Sequence, residues 1–330
     1  MGNRNESVDR GQLSRYDLSY FAYRQLQRDY INFEEAYIEH FSSRFICRIL
    51  YHYMCILPED SAERFEARIR EQYAVKPEKP FYSHRISLNN ALTDKMREFS
   101  FVEDKQFGKR VVINYILEQF AALPLDEREK IYFFETCRTI RRAIEESQLL
   151  ILSITTRPQT IIEVKPLDLL TDENTGSCYL IGYSRTRESD DAFDYCSIKL
   201  SRIRRCGMRM EEFSLSRKEE TVVRRICEKF GAAYVPRKLN SDQIEQTVVR
   251  LTKYGYESLY LKYIPRQRPL PCIAPVLSDD GEHYELTFDC SHNQIMNYFF
   301  VYGKDAEVIS PEWLRGKMKE RYQGALEAYK

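Results

Sequence analysis

The densest group of residues able to do chemistry lies between Tyr179 and Arg209, where cations alternate with aromatic rings: Tyr179, Tyr183, Arg185, Arg187, Tyr195, Lys199, Arg202 and Arg204. Guanidinium and ammonium groups follow a phosphate backbone while rings stack on bases, which is the chemistry of single-stranded nucleic-acid binding. In the run AFDYCSIKL a period of two places Tyr195, Ser197 and Lys199 on one face and Cys196, Ile198 and Leu200 on the other. The polar set is therefore expected to point outward together. Tyr179 and Tyr183 share a face of their own run in the same way. The candidate anion-binding residues are Tyr179, Arg185, Arg187, Ser197, Lys199, Arg202 and Arg204. The competing reading is a solvated rim of arginines around a core of tyrosines, since 24 tyrosines in one chain must mostly be structural.

Catalytic constellations are absent from the sequence. The five histidines, His40, His52, His84, His283 and His292, are scattered; there is no HExxH, no P-loop and no Gly-x-Ser-x-Gly. Arg48 and His52 are similar to the Arg and His of certain ribonucleases, but with three residues between them on an amphipathic helix the match reads as coincidence. Neither catalysis nor a cofactor nor a metal is expected. Nine cysteines contain no CxxC pair, which fits reduced thiols in a cytoplasmic protein rather than a zinc cluster or a disulfide framework.

Fifty Lys and Arg balance fifty Asp and Glu, so any anion site has to be a local patch. No apolar run approaches the roughly 18 residues a membrane span needs, and no membrane partner is expected.

These residues need elements to hold them. Helical periodicity is expected over Asn32–Leu57, Asp60–Ala74, Asn90–Phe99, Lys109–Leu123 and Leu125–Ser147, with the Pro-containing stretch Val75–Pro80 as a linker. Between them FYSHRISLN alternates as a single half-buried strand, in which Ser83, Arg85 and Ser87 face away from His84, Ile86 and Leu88. A lone strand with two helices buries too little by itself, so a second copy of the chain is expected to pair with it.

The runs LLILSIT, TIIEVK, CYLIGYSR and AFDYCSIKL then predict a small antiparallel barrel. The last third predicts helices over Arg217–Phe230, Ser241–Tyr254, Ser291–Tyr302 and from Pro311 to Tyr329, with strands between, and a capping box of Ser291 with Gln294. No internal repeat is evident. The fold class expected is α+β and multidomain.

Three places in Leu149–Ile203 resemble a WYL domain, a small Sm- or SH3-like barrel of bacterial regulators: Cys178-Tyr179-Leu180 at the naming position without its Trp, Lys165-Pro166-Leu167 at a strand exit, and Ser201-Arg202-Ile203 at the end. Cys196 stands where the family often has an arginine. Tyr256–Tyr329 is similar to the extension that follows WYL domains, through Asn297-Tyr298-Phe299, Gly303 and Val308 to Leu314. Ser83–Leu123 is similar to a ribbon-helix-helix domain. This combination resembles the WYL accessory proteins of type VI-D CRISPR systems.

The resemblance implies four parts: a helical extension (1–80), a ribbon-helix-helix (81–125), a WYL domain (126–215) and an α+β C-terminal domain (216–330). It further implies a reading face of Ser83, Arg85 and Ser87, with Lys109 and Arg110 flanking a helix start as a phosphate clamp. The alternative is that these residues merely solvate an exposed strand. The expected protein is a homodimeric regulator that binds single-stranded RNA and modulates an RNA-guided CRISPR RNase. Two rivals stand beside it: a ligand-sensing repressor that binds duplex DNA, and a structural dimer that acts by protein contact.

Overall fold

The computed structural model describes residues 12–35, 40–56, 62–74, 80–98, 108–155, 157–173, 175–187, 192–234, 246–261, 272–278, 281–289 and 292–329. The chain divides into two compact units, residues 1–135 and 136–330.

The first unit starts with a strand that the polar N-terminus had not announced. β1 (Gln12–Leu18) pairs antiparallel with β2 (Tyr82–Leu88) in the register Arg15↔Arg85, with Tyr16↔His84 and Ser14↔Ile86 on either side. Each strand leads into two helices: α1 (Tyr20–Glu34) and α2 (Ser43–Ile56) after β1, then α4 (Asn90–Arg97) and α5 (Gly108–Ala122) after β2. The side chains of Ser19 and Asn89 cap the first helix of each half, accepting from the Ala22 and Leu92 N–H groups. Buried Leu18 and Leu88 precede these caps, Tyr16 and Ile86 lie buried two residues earlier, and Arg15 and Arg85 are exposed one residue before those.

The chain thus carries a strand–helix–helix unit twice, which corrects the reading that it has no repeat. It also removes the reason given for a second copy, because the partner strand of β2 lies in the same chain. The two halves differ at most positions, and that divergence hides the duplication from a sequence search.

The single helix expected over Asn32–Leu57 is two helices. Glu35 leaves α1 in the left-handed region (φ 52°), and the Ser42 hydroxyl caps α2 through the Phe45 N–H. The helix expected over Asp60–Ala74 is α3 (Ala62–Ala74), and Asp60 itself lies outside the described residues. Leu125–Ser147 is likewise broken, into α6 (Leu125–Tyr132) and α7 (Phe134–Glu145), at Phe133.

In the second unit five antiparallel strands form one sheet: β3 (Gln148–Ile154), β4 (Arg157–Thr171), β5 (Cys178–Thr186), β6 (Asp194–Lys199) and β7 (Ile203–Glu212), in the order β6-β5-β4-β3-β7. The expected barrel does not close. A 3-10 turn at Leu200–Arg202 redirects the chain after β6, so that β7 pairs with β3, and no ladder joins β6 to β7 among the described residues.

α8 (Arg217–Phe230) covers one face of the β5–β6 end instead. It starts in a capping box of Ser216 and Glu219, and its Val223 packs with Tyr179, Ile181 and Ala232. Where β4 bulges between Pro166 and Asp168, the β5 backbone comes so near that a Cβ on Gly182 would lie 2.1 Å from the Lys165 carbonyl oxygen. Only glycine fits there.

A second sheet, in the order β11-β8-β10-β9, joins β8 (Thr247–Thr252), β9 (Val276–Leu277), β10 (His283–Phe288) and β11 (Ala306–Ser310). It shares a core with α10 (His292–Phe299) and α11 (Glu312–Glu327), built on Val249, Leu251, Leu286, Phe288, Ile295 and Leu314. Here the helix expected over Ser241–Tyr254 is a strand from Thr247. Its TVVRLT alternates buried and half-buried positions at period two, and its β-branched residues suit a pleated surface.

The strand expected at Glu257–Ile264 is instead a helix, α9 (Lys253–Leu261). The Ser291 cap lies outside the described residues, and Gly303, at φ 57°, kinks the 3-10 stretch Phe300–Asp305 that follows α10.

Candidate nucleic-acid interface

The candidate residues separate into three groups. Tyr179, Tyr183, Tyr195 and Ser197 share a face, as the alternation predicts, but that face is inside. The Tyr183 hydroxyl donates to the Glu219 carbonyl at 3.2 Å, the Tyr195 hydroxyl lies 3.4 Å from Cys227 Sγ, and the Ser197 hydroxyl donates to the Ala232 carbonyl. Burial raises the Tyr195 hydroxyl far above its ordinary pKa and pushes the Cys196 thiol up to about 12. α8 covers this face and leaves Tyr183, Tyr195 and Ser197 half-buried with their hydroxyls engaged inside the unit, so Tyr179 and Ser197 do not form an outward polar set. The reason is α8: alternation shows which residues share a face, and a distant helix decides whether that face is covered. Lys199, at the end of the same strand, is half-buried.

Arg185 is engaged by a carboxylate. Glu163, only 2 % exposed, sits opposite it on β4 and accepts from Arg185 Nε at 2.9 Å and from an Arg209 terminal nitrogen at 2.8 Å. The Arg185 guanidinium also lies 4.5 Å from the Phe193 ring centre, with Lys165 Nζ at 4.7 Å from the same ring. A buried carboxylate needs such partners, because an isolated charge removed from water costs several kcal/mol. Arg185 is therefore a structural cation. Glu163 was missed in the sequence because nothing in TIIEVK distinguishes it from a solvated glutamate.

Arg187, Arg202 and Arg204 are exposed, and Arg205 with them. The strand register brings them to one end of the sheet. The Arg187 N–H bonds the Ile161 carbonyl, Ile161 pairs with Ser153, and Ser153 pairs with Arg205; beside them the Thr155 N–H bonds the Arg202 carbonyl. Arg187 and Arg205 thus lie about three strand spacings apart, roughly 14 Å. This is a cationic edge at one end of the sheet.

In the first unit Ser83, Arg85 and Ser87 are exposed, as the alternation predicts. Across the ribbon, however, stands Asp17. It accepts from the Ser83 hydroxyl at 2.6 Å and from Arg110 Nε at 2.5 Å, its N–H bonds the Asn114 side chain, and Arg15 donates to Ser83 at 2.7 Å. Burial works against the Asp17 carboxylate, but hydrogen bonds from Ser83, Arg110 and Asn114 and the Arg110 charge together hold its pKa below the ordinary value. A carboxylate on this face toward the Leu18 end of the ribbon, already holding Arg110, opposes a phosphate clamp there. Lys109 is half-buried. The missed signal was the alternation of Tyr16 and Leu18 with Arg15 and Asp17 in a segment read as polar.

Among the described residues no group of His, Cys, Asp and Glu could hold a metal ion. No helix is long and apolar enough to cross a membrane among those same residues.

Residues 243–326 match the model of the WCX domain, the C-terminal module associated with WYL domains. That range covers β8 through most of α11 and agrees with the extension recognised at Tyr256–Tyr329. Among solved structures the chain is similar to a CRISPR Cas-related protein with a TM-score of 0.68 at 19 % identity, covering 100 % of this chain and 97 % of that one; the two share a fold over their whole length. Proteasome accessory factor B/C of Arthrobacter aurescens gives a TM-score of 0.26 at 14 % identity, over 75 % of this chain and 37 % of that chain, too low for a comparison of folds. No curated protein matches the chain.

Proposed function

We propose that this chain is a non-enzymatic accessory protein that binds single-stranded RNA along Arg187, Arg202 and Arg204 and modulates an RNA-guided CRISPR RNase. The observation that carries the reading is the gathering of those exposed arginines at one end of the five-stranded sheet, which turns a neutral molecule into one with a local anion site. The WCX domain and the fold shared with a CRISPR Cas-related protein support a regulatory role.

Within this proposal residues 126–215 make the RNA contact and 216–330 support them, while 1–80 and 81–125 supply the two halves of the ribbon. The repressor reading is second, because Asp17 weakens the ribbon face as an anion site while Arg85 keeps it cationic.

The test is a gel-shift comparison of single-stranded RNA, single-stranded DNA and duplex DNA with the full chain. Preference for RNA supports the proposal. Preference for duplex promotes the repressor, and no binding leaves protein contact as the mode of action.

A further inference from the structure

Between α2 and α4 the first unit holds a groove of about 850 Å³. It is lined by Arg44, Arg48, Tyr51 and His52 from one face of α2, by Ser87 at the end of β2, and by Asn90 in the first turn of α4. No aspartate or glutamate lines it.

We infer that this groove binds a phosphorylated nucleoside, with the phosphate on Arg44 and Arg48. Arg48 is already aimed. One of its terminal nitrogens bonds the Tyr132 hydroxyl at 3.2 Å and lies 3.8 Å from the Glu34 carboxylate, and the guanidinium lies 4.9 Å from the Tyr132 ring centre. That leaves further donors of the planar fork for an anion. Arg44, one turn earlier, is exposed and unpaired among the described residues. Two guanidinium groups one helical turn apart, with no carboxylate in the lining, suit the oxygens of a phosphate monoester.

The organic part follows from volume and from the remaining lining. Inorganic phosphate fills little of such a space, whereas ligand clefts of about 300–1,000 Å³ take whole small molecules. Cys47, Leu88 and Ala91 give the groove an apolar floor and Tyr51 offers a ring to a base. His52 Nδ1 lies 3.0 Å from the Ile131 carbonyl and 3.2 Å from that of Tyr132, so this nitrogen carries the proton. Nε2 remains as an acceptor for a sugar hydroxyl. Arg48 and His52 thus acquire a binding role without any cleavage chemistry. The phosphorylated nucleoside can arrive free or as the 5′ end of an RNA.

The experiment is titration calorimetry on the full chain bearing Arg187→Ala, Arg202→Ala and Arg204→Ala, so that RNA binding at the sheet does not contribute. Probes are the four nucleoside 5′-monophosphates, the matching nucleosides, and an RNA tetramer with and without a 5′-phosphate. Binding of monophosphates but not nucleosides supports a free nucleotide, and binding of the 5′-phosphorylated tetramer alone supports an RNA end.

In either case a further Arg44→Glu change should weaken binding by about tenfold or more, as expected for a lost charge-assisted contact replaced by repulsion. The thermal midpoint should stay unchanged, because Arg44 is exposed. Arg48→Lys provides a second reading that keeps the charge and loses the fork. No binding of any phosphorylated probe at millimolar concentration, or affinity unaltered by Arg44→Glu, overturns the inference and leaves the sheet-edge proposal untouched.

Discussion

Arg185 and Glu163 face each other across β5 and β4, and the buried Glu163 carboxylate holds both Arg185 and the exposed Arg209 by ion pairs. Glu163→Gln should therefore destabilise the protein by about 1–3 kcal/mol, since two guanidinium groups lose their counter-charge. Urea unfolding measures it. Arg185→Ala should likewise cost stability while leaving the salt dependence of RNA binding as it was.

The exposed arginines should behave in the opposite way. Replacing Arg187, Arg202 and Arg204 by Ala should leave unfolding midpoints alone. It should also flatten the plot of log affinity against log salt by about 1.4 to 2.1 if two or three of them meet phosphates, at about 0.7 per contact on a single strand. Filter binding over a salt series reads the slope. Weaker affinity with an unchanged slope would mean that the arginines do not touch phosphate.

Asp29 on α1 and Arg128 on α6, 99 residues apart in sequence, form a bidentate ion pair with both side chains buried. Burial raises the Asp29 pKa despite the attraction of Arg128. Arg128→Met alone should destabilise by about 3–5 kcal/mol, because it strands a carboxylate, and the double change Asp29→Leu with Arg128→Met should recover most of the loss. A double-mutant cycle in denaturant decides whether the pair or its desolvation dominates.

Asp17 predicts an acid sensitivity. Its pKa in the folded chain is lowered from 3.8, so its contribution is complete above that value and disappears as pH falls through the folded pKa. The stability difference between the wild type and Asp17→Asn should shrink steadily below about pH 4. A difference that stays constant from pH 5 to pH 2 would show that Asp17 gains nothing from Ser83, Arg110 and Asn114.

Local order was legible where one residue pattern had one structural meaning. FYSHRISLN read as a strand with Ile86 and Leu88 inside, Arg217–Phe230 read as a helix, and Tyr256–Tyr329 was recognisable by its spacing. What escaped depended on partners far away in the chain. The sequence held β1 in plain view, but Tyr16 and Leu18 are only two apolar residues in a polar segment, and their meaning comes from a strand 70 residues later.

The same holds for the site. Arg185 and Arg187 are chemically alike in sequence, and only Glu163 separates the structural one from the exposed one. Period two grouped Tyr179 with Tyr183 and Tyr195 with Ser197, yet could not foresee that α8 would lie on that face. Thr247–Thr252 read as helix because valines and charged residues fit either period over so short a run.

The pairing of Arg15 with Arg85 has a consequence for what the ribbon can recognise. A ribbon assembled from two separate chains shows every side chain twice and suits a target that is itself two-fold. Here one polypeptide supplies both strands, at an effective concentration that dilution cannot lower, and each strand is free to change alone. The Arg15 side has acquired Asp17 where its counterpart keeps Ser87, so the face is chiral in its charge: acidic and pinned toward one end, hydroxylic and open toward the other. Whatever docks on it meets a surface with a direction, and an asymmetric partner can be held in one orientation out of two.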